Sequence, residues 1–184
     1  IPNVGKYVNF KDSYKGEKGK LDLDYWVLDY NLEKAKKQFT QVKPMLKALE
    51  YWFGPYPFYE DSYKLVESPY LGMEHQSSVA YGNRFENGYL GRDLSGTGVG
   101  LNWDFIIIHE SGHEWFANNI TAKDQADMWI HESFTNYSET LFVEDYKDKM
   151  SAEKYVKGIR KNIQNDRPII GNYGVRNEGS SDMY

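Results

Sequence analysis

The apolar positions divide the chain into a strand-rich first part and a helical second part. Tyr7-Val8-Asn9-Phe10 is followed by a turn region from Lys15 to Lys20, after which Leu21, Leu23 and Tyr25 alternate with Asp22, Asp24 and Trp26. A period of two puts the apolar set on one side, so residues 4–30 read as a β-hairpin with one half-buried face. At residue 31 the period changes. Leu32, Ala35, Phe39, Val42, Leu46 and Leu49 recur at helical spacing, with Lys34, Lys36, Lys37 and Lys47 opposite them. This predicts an amphipathic helix over residues 31–53, capped by Asn31 and kinked or broken at Pro44, with the lysines forming a solvated face. Phe53-Gly54-Pro55-Tyr56-Pro57-Phe58 then turns the chain. Lys64 to Glu67 reads as a short strand, and Leu71 to Tyr81 as an extended segment.

The stretch from Gly82 to Gly100 is glycine-rich and loop-like. Its Gly96-Thr97-Gly98-Val99-Gly100 invites a nucleotide-loop reading, but no buried strand precedes it and the third glycine is wrongly spaced. A flexible approach to the next helix accounts for it better. That helix spans residues 102–118, with Asn102 as cap, and Phe105 to Ile108 are apolar on all sides, as in a helix buried within a domain. A polar connection from Thr121 to Asp127 leads to a second buried helix over 128–147. A third begins at a Ser151 cap, turns Tyr155, Val156, Ile159 and Ile163 to one side, and is stopped by Arg167-Pro168. Strands followed by helices imply an α+β fold.

Composition narrows the chemistry. The 184 residues suffice for one domain with its own core, and the net charge of −5 argues against nucleic acid or an anionic membrane as partner. No apolar run is long enough to span a bilayer. Cysteine is absent, so any metal must be held by His, Asp or Glu. Tyrosine, phenylalanine and tryptophan number 16, 9 and 5, which fits either an aromatic core or a cleft lined by rings.

The chemistry gathers at His109-Glu110-Ser111-Gly112-His113. On a helix, His109 and His113 lie one turn apart on one face and can share a metal ion, while Glu110 stands beside the first ligand, placed to take a proton from a water. A catalytic zinc takes three protein ligands. The third should come from a neighbouring element, and Glu132 follows His113 after eighteen residues, enough for a helix end, a connection and the start of a second helix. Glu139, two turns beyond Glu132 on the same face, can accept a hydrogen bond from a ligand imidazole, or form a surface salt bridge instead. His131 points away from Glu132 and is not expected to bind the metal.

His-Glu-x-x-His followed after eighteen residues by Glu resembles the gluzincin arrangement of the aminopeptidase N family. His109 to Phe116 is similar to that family's metal helix, and Trp129-Ile130-His131-Glu132-Ser133-Phe134 to its third-ligand segment, with His131 where the family has Asn. Leu71-Gly72-Met73-Glu74-His75 resembles its Gly-x-Met-Glu-Asn signature, with His75 in place of the Asn. The resemblance runs from about Trp52 to the C-terminus and is dense from Gly72 to Glu139.

It implies a thermolysin-like zincin catalytic domain, with a β-rich front half followed by metal-bearing helices. It implies one zinc ion on His109, His113 and Glu132, and Glu110 as the catalytic base. Glu74, with the backbone of Gly72 and Met73, would bind the free α-amine of a peptide substrate. A downstream tyrosine would stabilise the oxyanion, and Tyr184 is assigned that part, with Tyr173 the weaker candidate. Because the sequence begins at Ile1 and ends soon after the metal helices, it reads as a piece of one such domain, with the hairpin of residues 1–30 from the end of a preceding β domain and further domains in the same polypeptide. The activity expected is removal of N-terminal residues from peptides. The alternatives are a gluzincin endopeptidase, a non-catalytic metal- or peptide-binding module, and a metal-free structural domain.

Overall fold

The computed structural model describes residues 2–175. Strands β1 (Tyr7–Gly16) and β2 (Gly19–Leu28) form an antiparallel hairpin in register from Tyr7↔Leu28 to Gly16↔Gly19. Gly19 closes the turn at φ 106°, a conformation that favours glycine. Along β2 the alternation holds, with Leu21, Leu23, Tyr25 and Val27 buried. The helical stretch that follows is divided at a different place from the one the sequence suggests. Helix α1 (Leu32–Gln38) and helix α2 (Val42–Phe53) are separated by a 3₁₀ turn at Phe39–Gln41. Pro44 sits in the first turn of α2, where its missing N–H costs no hydrogen bond, so it neither kinks nor breaks a helix. Asn31 does not cap α1 through its side chain. Its amide donates to Glu67 at 2.7 Å instead, tying the helix start to the sheet.

Strands β3 (Tyr63–Glu67), β4 (Gly72–Met73) and β5 (Val79–Tyr81) complete a five-stranded mixed sheet of order β1-β2-β3-β5-β4. β2, β3 and β5 run parallel, and β4 pairs antiparallel to β5 at the edge. The expected extended segment is therefore two short strands joined by a turn at His75–Ser78. The sheet's buried side chains join those of α2 and of the central helix in one core.

That helix, α3 (Phe105–Gly112), is capped by Asp104 rather than by Asn102. Asp104 Oδ1 accepts from the Ile106 and Ile107 amides, while Asn102 closes a preceding 3₁₀ turn by donating to the Gly98 and Val99 carbonyls. Asp104 also receives Tyr81 Oη at 2.6 Å, Gln38 Nε2 at 2.8 Å and Asn83 Nδ2 at 2.9 Å. Gln41 in turn accepts from the Asp104 amide at 2.8 Å. The end of α1 and the 3₁₀ turn after it thus aim one glutamine each at the start of α3, and β5 adds a tyrosine. The helix is fixed at its first residue.

Helix α4 (Trp129–Tyr146) packs on α2, α3 and α5 (Lys149–Ile159). At Gly112 a Cβ would lie 2.8 Å from Ser138 Oγ and 3.1 Å from Thr135 Cγ2, so α3 and α4 approach closely there. Asp148, not Ser151, caps α5, its carboxylate accepting from the Ser151 amide at 2.7 Å. α5 ends at Ile159, ahead of the expected stop at Arg167-Pro168. The glycine-rich loop has an internal anion of its own: Asp93 accepts from the amides of Ser95 and Gly98 and from the Ser95 hydroxyl. Amides that would cradle a phosphate are already taken. Among the described residues no helix is long and apolar enough to cross a membrane.

Candidate active site

On α3, His109 and His113 stand one turn apart with ring centroids at 5.0 Å and planes at 85°. Both Nε2 atoms face the third residue of the set: Glu132 Oε2 lies 3.7 Å from His109 Nε2 and 3.6 Å from His113 Nε2. All three potential ligand atoms lie within 4.8 Å of one another. The opposite ring nitrogens are held from outside. His109 Nδ1 is 2.7 Å from Glu139 Oε1, and His113 Nδ1 is 3.0 Å from the Phe116 carbonyl and 3.1 Å from Thr135 Oγ1. A carboxylate and a carbonyl can only accept, so each Nδ1 carries a proton, and each Nε2 is the ring atom left to face the space beside Glu132. Glu139 is itself oriented by Tyr155, whose hydroxyl donates to Oε2 at 2.6 Å.

Glu110 is buried on the same helix, and β4 runs against it. A Cβ at Gly72 would lie 2.8 Å from Glu110 Oε1 and 2.9 Å from Ile106 Cγ2, so only glycine permits this approach. The strand continues to Glu74, half-buried, whose carboxylate joins Glu110 and His113 in a second cluster with ligand atoms within 4.8 Å of one another. Met73, between them, is 42 % exposed. A cavity of about 380 Å³ opens between this strand and α3, lined by Gly72, Glu74, His109, Glu110, His113 and Glu132. Toward the start of α3 lies a second, largely apolar cavity of about 490 Å³, lined by Leu71, Tyr89, Phe105, Ile106 and Ile159 and bounded by His109 and Glu110.

The charges are strongly coupled. Burial and the neighbouring carboxylates of Glu74, Glu132 and Glu139 raise Glu110 to about 7, against the attraction of His109. Burial would strip the proton from His109, but its bonds to Glu132 and Glu139 outweigh this and lift it to about 10. Burial and the charge on His109 hold His113 below the usual histidine range. Glu132 is pushed up by burial, but its bond to His109 and the nearby imidazoles bring it below the usual range. Three buried carboxylates and a half-buried fourth thus meet two imidazoles, an excess of negative charge that a divalent cation would balance.

The model for the peptidase family M1 domain matches residues 30–172, most of the chain. The chain belongs to the M1 peptidase family. It is 25 % identical over 146 residues to the tricorn protease-interacting factor F2 of Thermoplasma acidophilum, a match that covers 78 % of this chain and 17 % of that protein. Against the aminopeptidase N of Lactobacillus helveticus it is 29 % identical over 123 residues, 64 % of this chain and 13 % of the other. In structure it resembles an M1 zinc metallopeptidase of Deinococcus radiodurans, with a TM-score of 0.65 at 20 % identity over 98 % of this chain and 38 % of that one. A variant of a two-domain M1 zinc metallopeptidase bound to L-tryptophan gives a TM-score of 0.71 at 22 % identity, with the same coverage. The fold is therefore the M1 metallopeptidase fold, a mixed sheet followed by helices. The chain spans less than a fifth of these curated relatives.

The M1 chain's donor set suits zinc: two imidazole Nε2 atoms and one carboxylate oxygen, converging and oriented from behind, where zinc would displace the proton that the neighbouring carboxylates keep on metal-free His109. Tyr184 lies outside the described residues, and Tyr173 is 87 % exposed. His131 Nε2 accepts from the Ala122 amide at 2.8 Å, fixing the connection ahead of Glu132. Three contributors escape the motif reading: Thr135, the Phe116 carbonyl and Tyr155. Thr135 was accessible to it, because Glu132, Thr135 and Glu139 fall at i, i+3 and i+7 and so share one helix face. Tyr155 reads from the sequence only as part of an apolar stripe.

Proposed function

We propose that the protein carrying this chain is a zinc-dependent aminopeptidase that releases N-terminal residues from peptides. The observation that carries this reading is the meeting, on one cleft, of the His109–His113–Glu132 set with the carboxylates of Glu110 and Glu74. His109, His113 and Glu132 would hold one zinc ion. When bound, zinc supplies Lewis acidity to the scissile carbonyl and to the attacking water.

Glu110 takes the proton of that water and passes it to the leaving amine. Its burial beside the proposed metal ligands places it within reach of that water. Glu74 pairs with the substrate's α-ammonium, and its closeness to Glu110 leaves room for a single residue between the amine and the cleaved bond. With the amine at Glu74, the peptide runs back along β4 toward Leu71. The residue after the cleaved bond then meets the apolar cavity at Phe105 and Ile106, which favours a large apolar side chain there. The remaining assignment, oxyanion stabilisation by a tyrosine, falls to Tyr184.

Glu110→Gln in the full-length protein is the direct test. It should retain stoichiometric zinc and lose turnover of aminoacyl substrates by on the order of a thousandfold or more. Near-normal turnover in that variant would overturn the assignment.

A further inference from the structure

The amine anchor is poorly held by its own strand. β4 pairs with β5 only at Gly72↔Tyr81 and Met73↔Ala80, so the ladder stops one residue before Glu74. Beyond it the backbone makes a turn, with His75 N donating to the Met73 carbonyl and Ser78 N to that of His75, each at 2.9 Å. Ser77 in that turn has φ 55°, the left-handed region. Left to itself, such a segment would let the Glu74 carboxylate wander.

It is gripped from the metal helix. Glu114, fully buried next to His113, accepts from the Ser77 amide at 2.8 Å through Oε1 and from the Tyr56 hydroxyl at 3.2 Å through Oε2. Asn118 donates from Nδ2 to the Glu74 carbonyl at 2.9 Å. Asn118 can do this because the helix breaks after His113. Phe116 (φ −117°, ψ 79°) and Ala117 (φ 153°, ψ −58°) leave helical geometry and turn the chain back toward the sheet edge. The same break presents the Phe116 carbonyl to His113 Nδ1. One irregular segment therefore fixes both a ring of the candidate metal set and the backbone at and just after the amine anchor.

We propose that Glu114 and Asn118 are positioning residues that set the reach of Glu74 toward the substrate amine. This rests on the aminopeptidase reading above. Displacing an anchor by an ångström weakens both binding and alignment of the cleaved bond.

The test uses the zinc-loaded full-length enzyme and free-amine aminoacyl fluorogenic substrates. Asn118→Ala and Glu114→Ala should each lower kcat/KM by about tenfold, mainly through KM, the loss expected when a hydrogen bond orienting a charged group is removed. Zinc content should stay unchanged. Glu114→Gln should keep most activity, because its amide oxygen still accepts from Ser77. In a Glu74→Ala background the Asn118 and Glu114 substitutions should cost less than about twofold, since the group they position is gone. Equal losses in both backgrounds, or loss of zinc with either substitution, would overturn the positioning role and leave the amine-anchor reading standing. Unchanged preference for free amines in Glu74→Ala alone would overturn that reading, and the positioning role with it.

Discussion

Helices α2 and α4 both bury one face, and the two faces serve different ends. α2 buries Val42, Met45, Leu46, Ala48 and Leu49 in the apolar core. α4 presents Glu132, Thr135, Ser138 and Glu139 to the metal helix before it reaches Phe142 and Val143. Both helices bury carboxylates, and Glu50 and Glu132 are satisfied differently. Glu50 of α2 accepts from Tyr14 Oη, Glu17 N, Tyr56 N and Tyr59 Oη, which locks the hairpin tip to the helix end with protein groups alone. Glu132 faces two imidazoles, and a bound cation would complete its charge balance. The first arrangement is a structural joint and the second is the proposed metal site, and the difference lies in whether the protein supplies every partner.

The largest effect that would sharpen this contrast is at Glu132. Replacing it by Ala in the full-length enzyme should abolish stoichiometric zinc and cut turnover by on the order of a thousandfold or more. The metal-free variant should melt close to metal-free wild type, because removing one carboxylate relieves the excess of negative charge while it costs His109 and His113 a partner. Calorimetry with and without a chelator separates the two: wild type should lose melting temperature on chelation and the variant should not. A metal-free variant that melts far lower would make Glu132 a joint like Glu50. On α2 the pattern should reverse. Leu49, 0 % exposed, should cost about 2–5 kcal/mol as Leu49→Ala, read by denaturant unfolding, with zinc content of the folded fraction unchanged.

How much could be read from the chain follows the same division. β2 and α2 were legible because apolar burial imposes a period, and the Leu21–Tyr25 alternation and the Leu46, Leu49 stripe carry it. The candidate metal set was legible because residues one helical turn apart leave a fixed spacing, and Glu132 follows His113 at an interval that suits a neighbouring helix and that the family resemblance shares. Caps were misplaced because polar residues crowd each helix start. Asp104 and Asp148 win over Asn102 and Ser151 by geometry that spacing does not encode. The sheet order was not legible, since the parallel pairing of β2 with β3 joins residues far apart in sequence. Nor was the break after His113, because the residue in the unusual conformation is Ala117 and no glycine or proline signals it.

The cap of α3 tests the contrast at its boundary. Asp104 is a buried carboxylate with five donors, like Glu50 a joint, but it holds the start of the metal helix. Burial outweighs those donors and raises it to about 6. A carboxyl whose folded pKa exceeds its unfolded value binds more protons when folded, so stability falls as pH rises between about 4 and 6, by on the order of 3 kcal/mol. Asp104→Asn, which cannot titrate, should flatten the stability profile in that window while lowering stability overall. A wild-type slope in the variant would show that other groups, such as the Glu114 carboxyl raised by burial to about 7, carry the pH dependence.

The smallest effect is expected at Ala117. Its φ of 153° and ψ of −58° lie where a side chain is strained, at about 1–3 kcal/mol. The strain persists because the break it allows serves His113 and Glu74 together. Ala117→Gly should relieve it and lose part of the gain to the greater freedom of the unfolded chain, for a net stabilisation of about 1 kcal/mol. The backbone path would be kept, so zinc content and KM for free-amine substrates should not change. Stabilisation with a raised KM would mean that the alanine does more than tolerate the turn: its methyl group would then help hold Asn118 against Glu74, and the segment after His113 would be tuned in its side chains as well as in its backbone.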